Sequence, residues 1–129
     1  MDRKVLVVDD SATMRMIVQA TLTNAGRPVV LAADGRQALD MLARERVALL
    51  ITDWNMPVMD GPALIQAVRA DPALADLPVV VLTTEGDEAA QDQAQSLGVI
   101  GWLGKPVDPA TLVGVVDELL PPAQSQGTS

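Results

Sequence analysis

Apolar and polar positions alternate along the chain in five cycles. Each cycle is a short apolar run followed by a longer segment whose apolar residues recur at helical spacing. Short apolar runs rich in β-branched residues and bounded by turn residues are typical of strands buried in a parallel sheet. The five runs are Val5–Val8, Val29–Ala32, Ala48–Ile51, Val79–Leu82 and Val99–Leu103. Strict alternation of strands and helices predicts an α/β, doubly wound (βα)5 fold, a five-stranded parallel sheet with helices on both faces.

The five helical segments carry recognisable start and stop signals. Their predicted extents are about 12–25, 34–46, 63–70, 87–97 and 109–120. Ser11 can cap the first helix and Gly26 can end it, while Pro62 occupies a favoured first-turn position in the third. The fourth helix has only alanines and Leu97 for an apolar face, so we expect it to be the most weakly anchored.

Length and composition indicate one domain. The chain has 129 residues, 49% of them apolar, and we expect a folded unit over 1–122 with a flexible polar tail over 123–129. No apolar run approaches the roughly 20 residues that span a bilayer, and the first residues lead directly into a strand. We therefore expect a cytoplasmic protein without membrane association. The chain has no cysteine, which excludes disulfides and thiolate metal sites.

The complete absence of histidine narrows the possible chemistry further. Catalytic triads, Cys–His pairs and histidine metal sites cannot exist, so any reaction must use carboxylates, hydroxyls, lysine and a bound ion. The net charge of −8 and the lack of Phe and Tyr argue against nucleic-acid binding, which needs basic surfaces and stacking platforms.

Polar residues follow four of the five predicted strands. Asp9 and Asp10 end the first, Asp53 the third and Thr83 the fourth, while Lys105 follows the fifth. Carboxyl ends of parallel strands share one edge of the sheet, where ligands bind in open α/β folds. If the first and third strands are neighbours, three carboxylates crowd into one pocket, which suits Mg²⁺. Individually these residues are also compatible with turns, strand preference or solvated surface, but their joint placement favours a site.

Such a pocket suits phosphoryl chemistry. The Lys105 ammonium can bind a phosphoryl oxygen, and the Thr83 hydroxyl can donate to a second. Asp53 remains as the nucleophile, since a carboxylate can accept a phosphoryl group as an acyl phosphate. The tryptophans, Trp54 beside Asp53 and Trp102 in the fifth strand, are each compatible with simple core packing.

These motifs resemble the receiver domains of bacterial response regulators, in particular those of the single-domain chemotaxis type. The matching segments cover about 3–120 and are Val7–Ser11, Asp53–Pro57, Met59–Gly61, Leu82–Glu85, Gly101–Trp102 and Lys105–Pro106. The resemblance implies a flavodoxin-like sheet of order 2-1-3-4-5. It also implies phosphorylation of Asp53 by a histidine kinase, with Mg²⁺ held by Asp9, Asp10, Asp53 and the backbone carbonyl of Asn55.

The resemblance also implies a conformational switch. Thr83 matches the switch hydroxyl and Trp102 the switch aromatic, where Tyr is usual in the family. Asn55 and Glu85 border the approach of water and should tune dephosphorylation. The bond between Lys105 and Pro106 is expected to be cis, as in the family.

The implied function is that of a stand-alone, monomeric response regulator rather than an enzyme acting on other substrates; it catalyses only its own phosphorylation and dephosphorylation. Partner binding would switch through the face formed by helix 4, strand 5 and helix 5, with the flagellar motor switch as the expected target. A phosphate sink or an adaptor in another two-component pathway is the alternative.

Two other classes also fit parts of the pattern. A magnesium phosphatase usually has Asp two residues after its nucleophile, where this chain has Asn55. A nucleotide or flavin binder needs a Gly- or Ser/Thr-rich loop after the first strand, where Asp9 and Asp10 lie instead.

Overall fold

A computed structural model of the chain describes residues 4–84, 88–105 and 107–120. Strands and helices alternate throughout, as the apolar pattern predicts. The strands are β1 Lys4–Val8, β2 Val29–Ala32, β3 Val47–Asp53, β4 Val79–Thr84 and β5 Gly101–Lys105. The helices are α1 Ala12–Asn24, α2 Gly35–Arg44, α3 Gly61–Ala70, α4 Glu88–Ser96 and α5 Pro109–Leu119.

The five strands form one parallel sheet in the order β2-β1-β3-β4-β5, which confirms the predicted fold class. β1 and β3 are neighbours, and Val8 pairs with Thr52. Asp53 pairs with Leu82 of β4, and Thr84 pairs with Lys105 of β5. The register therefore brings the carboxyl ends of four strands to one edge of the sheet.

Each face of the sheet has its own core, because side chains alternate along a strand. One core contains Leu6, Leu50 and Val81 from the strands and is covered by α2, α3 and Ala94 of α4. The other contains Val7, Ile51 and Leu82 and is covered by α1 and α5. The three central strands, β1, β3 and β4, are buried on both sides over most of their length, which explains their continuous apolar sequences.

Side chains of Ser and Asp cap four helices at their amino ends. Ser11 accepts from the Met14 N–H, and three aspartates do the same at later helices: Asp34, Asp60 and Asp108. Gly26, with φ of +83°, follows α1 in the left-handed conformation predicted for it.

The main difference from the sequence prediction concerns β5, which begins two residues later than expected. Val99 is buried, but its N–H donates to the Ala94 carbonyl and closes the end of α4. Ile100 donates to Val79 and leads into the sheet. The apolar character of Val99 therefore marks burial rather than strand, whereas Ile100 is 52% exposed. Lys105 is the last residue of β5 rather than a residue of the following loop.

Three expectations concern residues outside the described ranges: the role of Glu85, the peptide bond to Pro106, and the tail at 123–129. Among the residues that the structure does describe, no helix has the length and apolarity needed to cross a bilayer.

Candidate functional site

Three aspartates meet at the carboxyl edge of the sheet. Asp9 and Asp10 follow β1, and Asp53 is the last residue of β3. One carboxylate oxygen from each lies within 4.8 Å of the other two. Asp9 and Asp53 are buried, whereas Asp10 is exposed. The strand order thus creates the predicted pocket.

Asp9 is held in place by its backbone and by one side-chain oxygen. Its N–H donates to the Ala32 carbonyl at 3.1 Å, and its Oδ1 accepts from the Ser11 N–H at 2.9 Å. Its carbonyl accepts from Nη1 of Arg15 at 2.6 Å. These contacts orient the carboxylate and leave Oδ2 directed toward the pocket, because the other polar groups of the residue are already bonded.

Asp53 is fixed by the chain on both sides of it. Its Oδ1 accepts from the Trp54 N–H at 2.8 Å, and its carbonyl accepts from the Thr52 hydroxyl at 2.9 Å. Gly61 packs directly on this segment, and its N–H donates to the Trp54 carbonyl at 2.9 Å. A Cβ at position 61 would lie 2.7 Å from the Asp53 carbonyl oxygen, so only glycine allows this approach.

Lys105 joins the two buried carboxylates. Its Nζ lies 3.0 Å from Asp9 Oδ2 and 3.0 Å from Asp53 Oδ2. The lysine side chain is 20% exposed, so its ammonium is partly dehydrated and interacts strongly with both oxygens. The cation occupies the position from which it can also contact an oxygen of a group bound to Asp53.

Burial raises the pKa of Asp53 above its ordinary value, and the nearby Asp9 carboxylate adds to the increase. The Lys105 ammonium and the Trp54 N–H oppose this effect without cancelling it. For Lys105, burial alone lowers the pKa, but Asp53 and Asp9 outweigh it and the net pKa is raised. The lysine is therefore a cation at neutral pH, and the pocket retains unbalanced negative charge.

The donor set fits Mg²⁺. Asp9 Oδ2 is fully buried, and among the described residues it accepts no hydrogen bond; its close contact is the ion pair with Lys105. A buried carboxylate oxygen in this state is costly, and a hard cation bound by oxygen relieves the cost. Three carboxylate oxygens within 4.8 Å match the small, all-oxygen coordination that Mg²⁺ takes while keeping several waters.

The remaining predicted site residues lie around this pocket. Thr83 is buried one residue beyond Leu82, the strand partner of Asp53. Asn55 is exposed in the turn after β3. Trp102 of β5 pairs with Val81 and is 38% exposed, whereas Trp54 is buried at 7% exposure. Trp54 is thus a core residue. Trp102 is solvent-accessible and lies on the opposite face of the sheet from Leu103, whose side chain belongs to the core covered by α1 and α5.

Sequence reasoning missed three features of the site. Arg15 binds the Asp9 carbonyl, and its spacing one turn into α1 was the available signal. Gly61 was identified only as part of the matching segment Met59–Gly61, although it supports the Asp53 backbone. Val58 adopts φ of +68°, a left-handed conformation that a β-branched residue rarely takes. Only the spacing of Arg15 was visible in the sequence, because the other two features depend on tertiary contacts.

Comparisons with known proteins agree with this architecture. The family model for the response regulator receiver domain matches residues 5–117. The chain is similar to a chemotaxis protein CheY homolog of Campylobacter jejuni, with 42% identity over 128 residues and 98% of each chain covered. It is 44% identical to chemotaxis protein CheY1 of Helicobacter pylori over 111 residues, 84% of this chain and 90% of that protein. The solved structure of the chemotaxis response regulator CheY4 of Vibrio cholerae superposes with a TM-score of 0.86 at 40% identity, covering 93% of this chain and 100% of that one.

Proposed function

Because the chain belongs to the response regulator receiver family, we propose that it accepts a phosphoryl group on Asp53 from a histidine kinase in a magnesium-dependent reaction. The observation that carries this proposal is the pocket itself. Asp9, Asp10 and Asp53 present oxygens within 4.8 Å of one another, and Lys105 contacts two of the three carboxylates. Receiver domains bind Mg²⁺ at such a cluster of aspartates.

The proposed step is a phosphoryl transfer. An Asp53 carboxylate oxygen attacks the phosphorus of a phosphohistidine, so that a P–O bond forms while the P–N bond breaks. The electron pair of the broken bond stays on the imidazole nitrogen, which takes a proton from water. Lys105 offsets charge on the transferred group, and Thr83 donates to one of its oxygens. Asp9, Asp10, Asp53 and the backbone carbonyl of Asn55 would hold Mg²⁺, which would supply charge neutralisation at the phosphoryl oxygens.

Loss of the phosphoryl group reverses this state. Water attacks the phosphorus of the acyl phosphate and releases inorganic phosphate, and Asn55 and Glu85 tune the rate. This self-dephosphorylation and the acceptance step are the only reactions proposed, so the protein is a signalling component rather than an enzyme for other substrates.

The proposed output is a change in partner binding. Thr83 and the accessible Trp102 form the switch, and the face of α4, β5 and α5 binds the partner in a phosphorylation-dependent way. The chemotaxis names of several relatives support the flagellar motor switch as the target. The proposed regulator is cytoplasmic and monomeric. The alternative is a phosphate sink or an adaptor in another two-component pathway.

Phosphoramidate, a small donor with a P–N bond, tests the acceptor role without a kinase. We expect the native protein to gain one phosphoryl group by intact mass with Mg²⁺ and none with EDTA, and the adduct to be labile to hydroxylamine. Asp53→Asn should gain none, whereas Asp40→Asn, which alters an exposed carboxylate of α2, should react as the native protein does. Equal labelling of native protein and Asp53→Asn contradicts the proposal.

A pull-down with a flagellar motor switch fragment separates the outputs. Capture that requires Mg²⁺ and beryllofluoride, a phosphoryl mimic, supports the motor target. Phosphoryl acceptance without capture favours the sink or adaptor.

A further inference from the structure

A single arginine of α3 holds the carboxyl end of α4. Nε of Arg69 donates to the Leu97 carbonyl at 3.0 Å, and Nη2 donates to the Gly98 carbonyl at 2.9 Å. These two residues directly follow α4, where helix carbonyls lack partners within the helix. The positive charge of the guanidinium also complements the negative end of the helix dipole.

The same side chain is anchored to the rest of the fold. Nη1 of Arg69 donates to the Ala75 carbonyl at 3.0 Å and to the Leu77 carbonyl at 2.7 Å. Both lie in the connection between α3 and β4. Arg69 thus uses four N–H groups on four backbone carbonyls and joins the end of α4 to a connection that leads directly into the central sheet.

The part of α4 whose side chains are described, 91–96, contributes little apolar surface to the core. Among 91–96, Ala94 is the only buried side chain, and Leu97 just beyond the helix is half-buried. A helix with so small an apolar face gains little from packing, so its polar tether has an unusually large share in fixing its position. The tether lies at the amino edge of the sheet, and the length of β4, roughly 16 Å, separates it from the acidic pocket at the carboxyl edge.

We propose that Arg69 is a tether that fixes the carboxyl end of α4, so that occupancy of the Asp53 pocket displaces the amino end of this helix while 97–100 stay in place. The displacement rests on the proposed phosphoryl-acceptor function, whereas the tether itself does not. Because only the carboxyl end is fixed by Arg69, α4 would rotate about this end instead of shifting as a whole.

Residue-resolved amide exchange by NMR tests the tether in the ligand-free protein. Arg69→Lys keeps the charge but cannot reach four carbonyls, since a lysine concentrates its donors at one atom. We expect the amides of Leu97, Gly98 and Val99 to exchange about tenfold faster or more, the factor that loss of charge-assisted hydrogen bonds implies. Arg36→Lys, at an exposed arginine of α2, should stay within twofold of native. Exchange within twofold of native in Arg69→Lys overturns the proposal, and Arg69→Gln replaces this variant if it does not fold.

The second arm adds Mg²⁺ and beryllofluoride to the native protein and to Arg69→Lys. In the native protein we expect exchange to change at 88–92 and to stay within twofold at 97–100, whereas in Arg69→Lys both segments should change. An equal response at both segments of the native protein overturns the proposal. If beryllofluoride alters nothing, the acceptor function and the proposed displacement are refuted, and the ligand-free arm decides the tether alone. The Mg²⁺ concentration at the midpoint of a binding titration should agree within twofold between the native protein and Arg69→Lys, because Arg69 lies outside the pocket.

Discussion

Nζ of Lys105 lies 3.0 Å from Oδ2 of Asp9, although β3 and β4 separate their strands in the sheet. The long lysine side chain spans the carboxyl edge and reaches an aspartate that is 0% exposed. This contact supplies the charge partner of an oxygen that accepts no hydrogen bond within the described part of the chain. The lysine therefore stabilises the metal-free pocket and also competes with a metal ion for the same oxygens.

Replacement of this lysine by methionine should have opposite effects on the metal-free protein and on metal binding. We expect Lys105→Met to lower the free energy of unfolding in EDTA by about 2 kcal/mol, because it leaves a buried carboxylate without its cation. The same change should tighten Mg²⁺ binding, since the ion no longer competes with an ammonium. Urea unfolding in EDTA and a Mg²⁺ titration followed by tryptophan fluorescence measure the two effects.

Lys4→Met is the matched control, because Lys4 and Glu45 form an ion pair at 26% and 31% side-chain exposure. Pairs of this kind contribute about 0–1 kcal/mol, and this one is remote from the pocket. Equal losses of stability in the two variants, or weaker Mg²⁺ binding in Lys105→Met, would contradict the assigned role of Lys105.

The raised pKa of Asp53 has a consequence for stability against pH. A carboxyl whose pKa is higher in the folded state than in the unfolded chain binds protons more tightly when folded. Its contribution to stability therefore declines as pH rises from the ordinary value of 3.8 through the raised value, and the deficit is complete above it. Asp53→Asn removes this titration, so in EDTA we expect it to be more stable than native at pH 7, with the gain disappearing below pH 3.8.

Urea unfolding at pH 7 and below pH 3.8 measures the difference in stability between Asp53→Asn and the native protein. Asp40→Asn is the control for the loss of an exposed charge. Adding Mg²⁺ should reverse the order at pH 7, because the native protein binds the ion and gains about 2.7 kcal/mol at a hundredfold excess over its dissociation constant. If Asp53→Asn is less stable than the native protein in EDTA at pH 7, then burial and the Asp9 charge do not destabilise the ionised Asp53 carboxylate.

The pocket could be predicted from the sequence because it depends on strand ends. Asp9, Asp53 and Lys105 each end or closely follow an apolar run, and parallel strands bring such residues to one edge. Adjacency of β1 and β3 was the one further condition, and the observed strand order meets it. Local polarity patterns thus determine the residues of the site, and the topology determines that they meet.

Features that depend on close approach could not be predicted in this way. The support that Gly61 gives to Asp53 depends on the path of the β3–α3 loop, which no period in the sequence records. The start of β5 was misplaced because Val99 is as apolar as a strand residue while its N–H closes α4. The exposure of Trp102 likewise follows from the position of β5 at the edge of the sheet.

The contact between Gly61 and the Asp53 backbone predicts a specific effect on the site. A Cβ at 61 would lie 2.7 Å from the Asp53 carbonyl oxygen and 2.9 Å from the Trp54 Cα, so the backbone must move. We expect Gly61→Ala to lower stability by about 1–3 kcal/mol and to weaken Mg²⁺ binding, because the Asp53 carboxylate moves with its backbone. Urea unfolding and a Mg²⁺ titration test both effects.

Gly114→Ala is the matched control, since no heavy atom lies within 4 Å of a Cβ added at this helical position. Alanine there should raise stability by up to about 1 kcal/mol through helix propensity and should leave Mg²⁺ binding unchanged. If Gly61→Ala binds Mg²⁺ with the same titration midpoint as the native protein, then the position of the Asp53 carboxylate does not depend on this close approach.

Val58 lies in a strained turn five residues after Asp53. Its φ is +68°, and the Met59 N–H donates to the Pro57 carbonyl at 2.7 Å across it, a three-residue turn of the rare form. Its side chain is 81% exposed, so burial does not offset the strain. We therefore expect Val58→Asn to raise the free energy of unfolding by about 1 kcal/mol, because asparagine tolerates the left-handed conformation that valine resists. Urea unfolding in EDTA measures this gain.

Val58→Ala separates backbone strain from the loss of an exposed apolar side chain. Alanine keeps the Cβ and most of the left-handed strain, so its gain should be clearly smaller than that of asparagine. The turn also orients Met59, whose carbonyl accepts from the Gly35 N–H at 3.1 Å, so the Asn variant should keep this contact and bind Mg²⁺ as the native protein does. Equal gains in the two variants would mean that the exposed methyl groups, rather than the φ of Val58, carry the cost. Weaker Mg²⁺ binding in Val58→Asn would instead show that this turn helps to hold Asp53 in place.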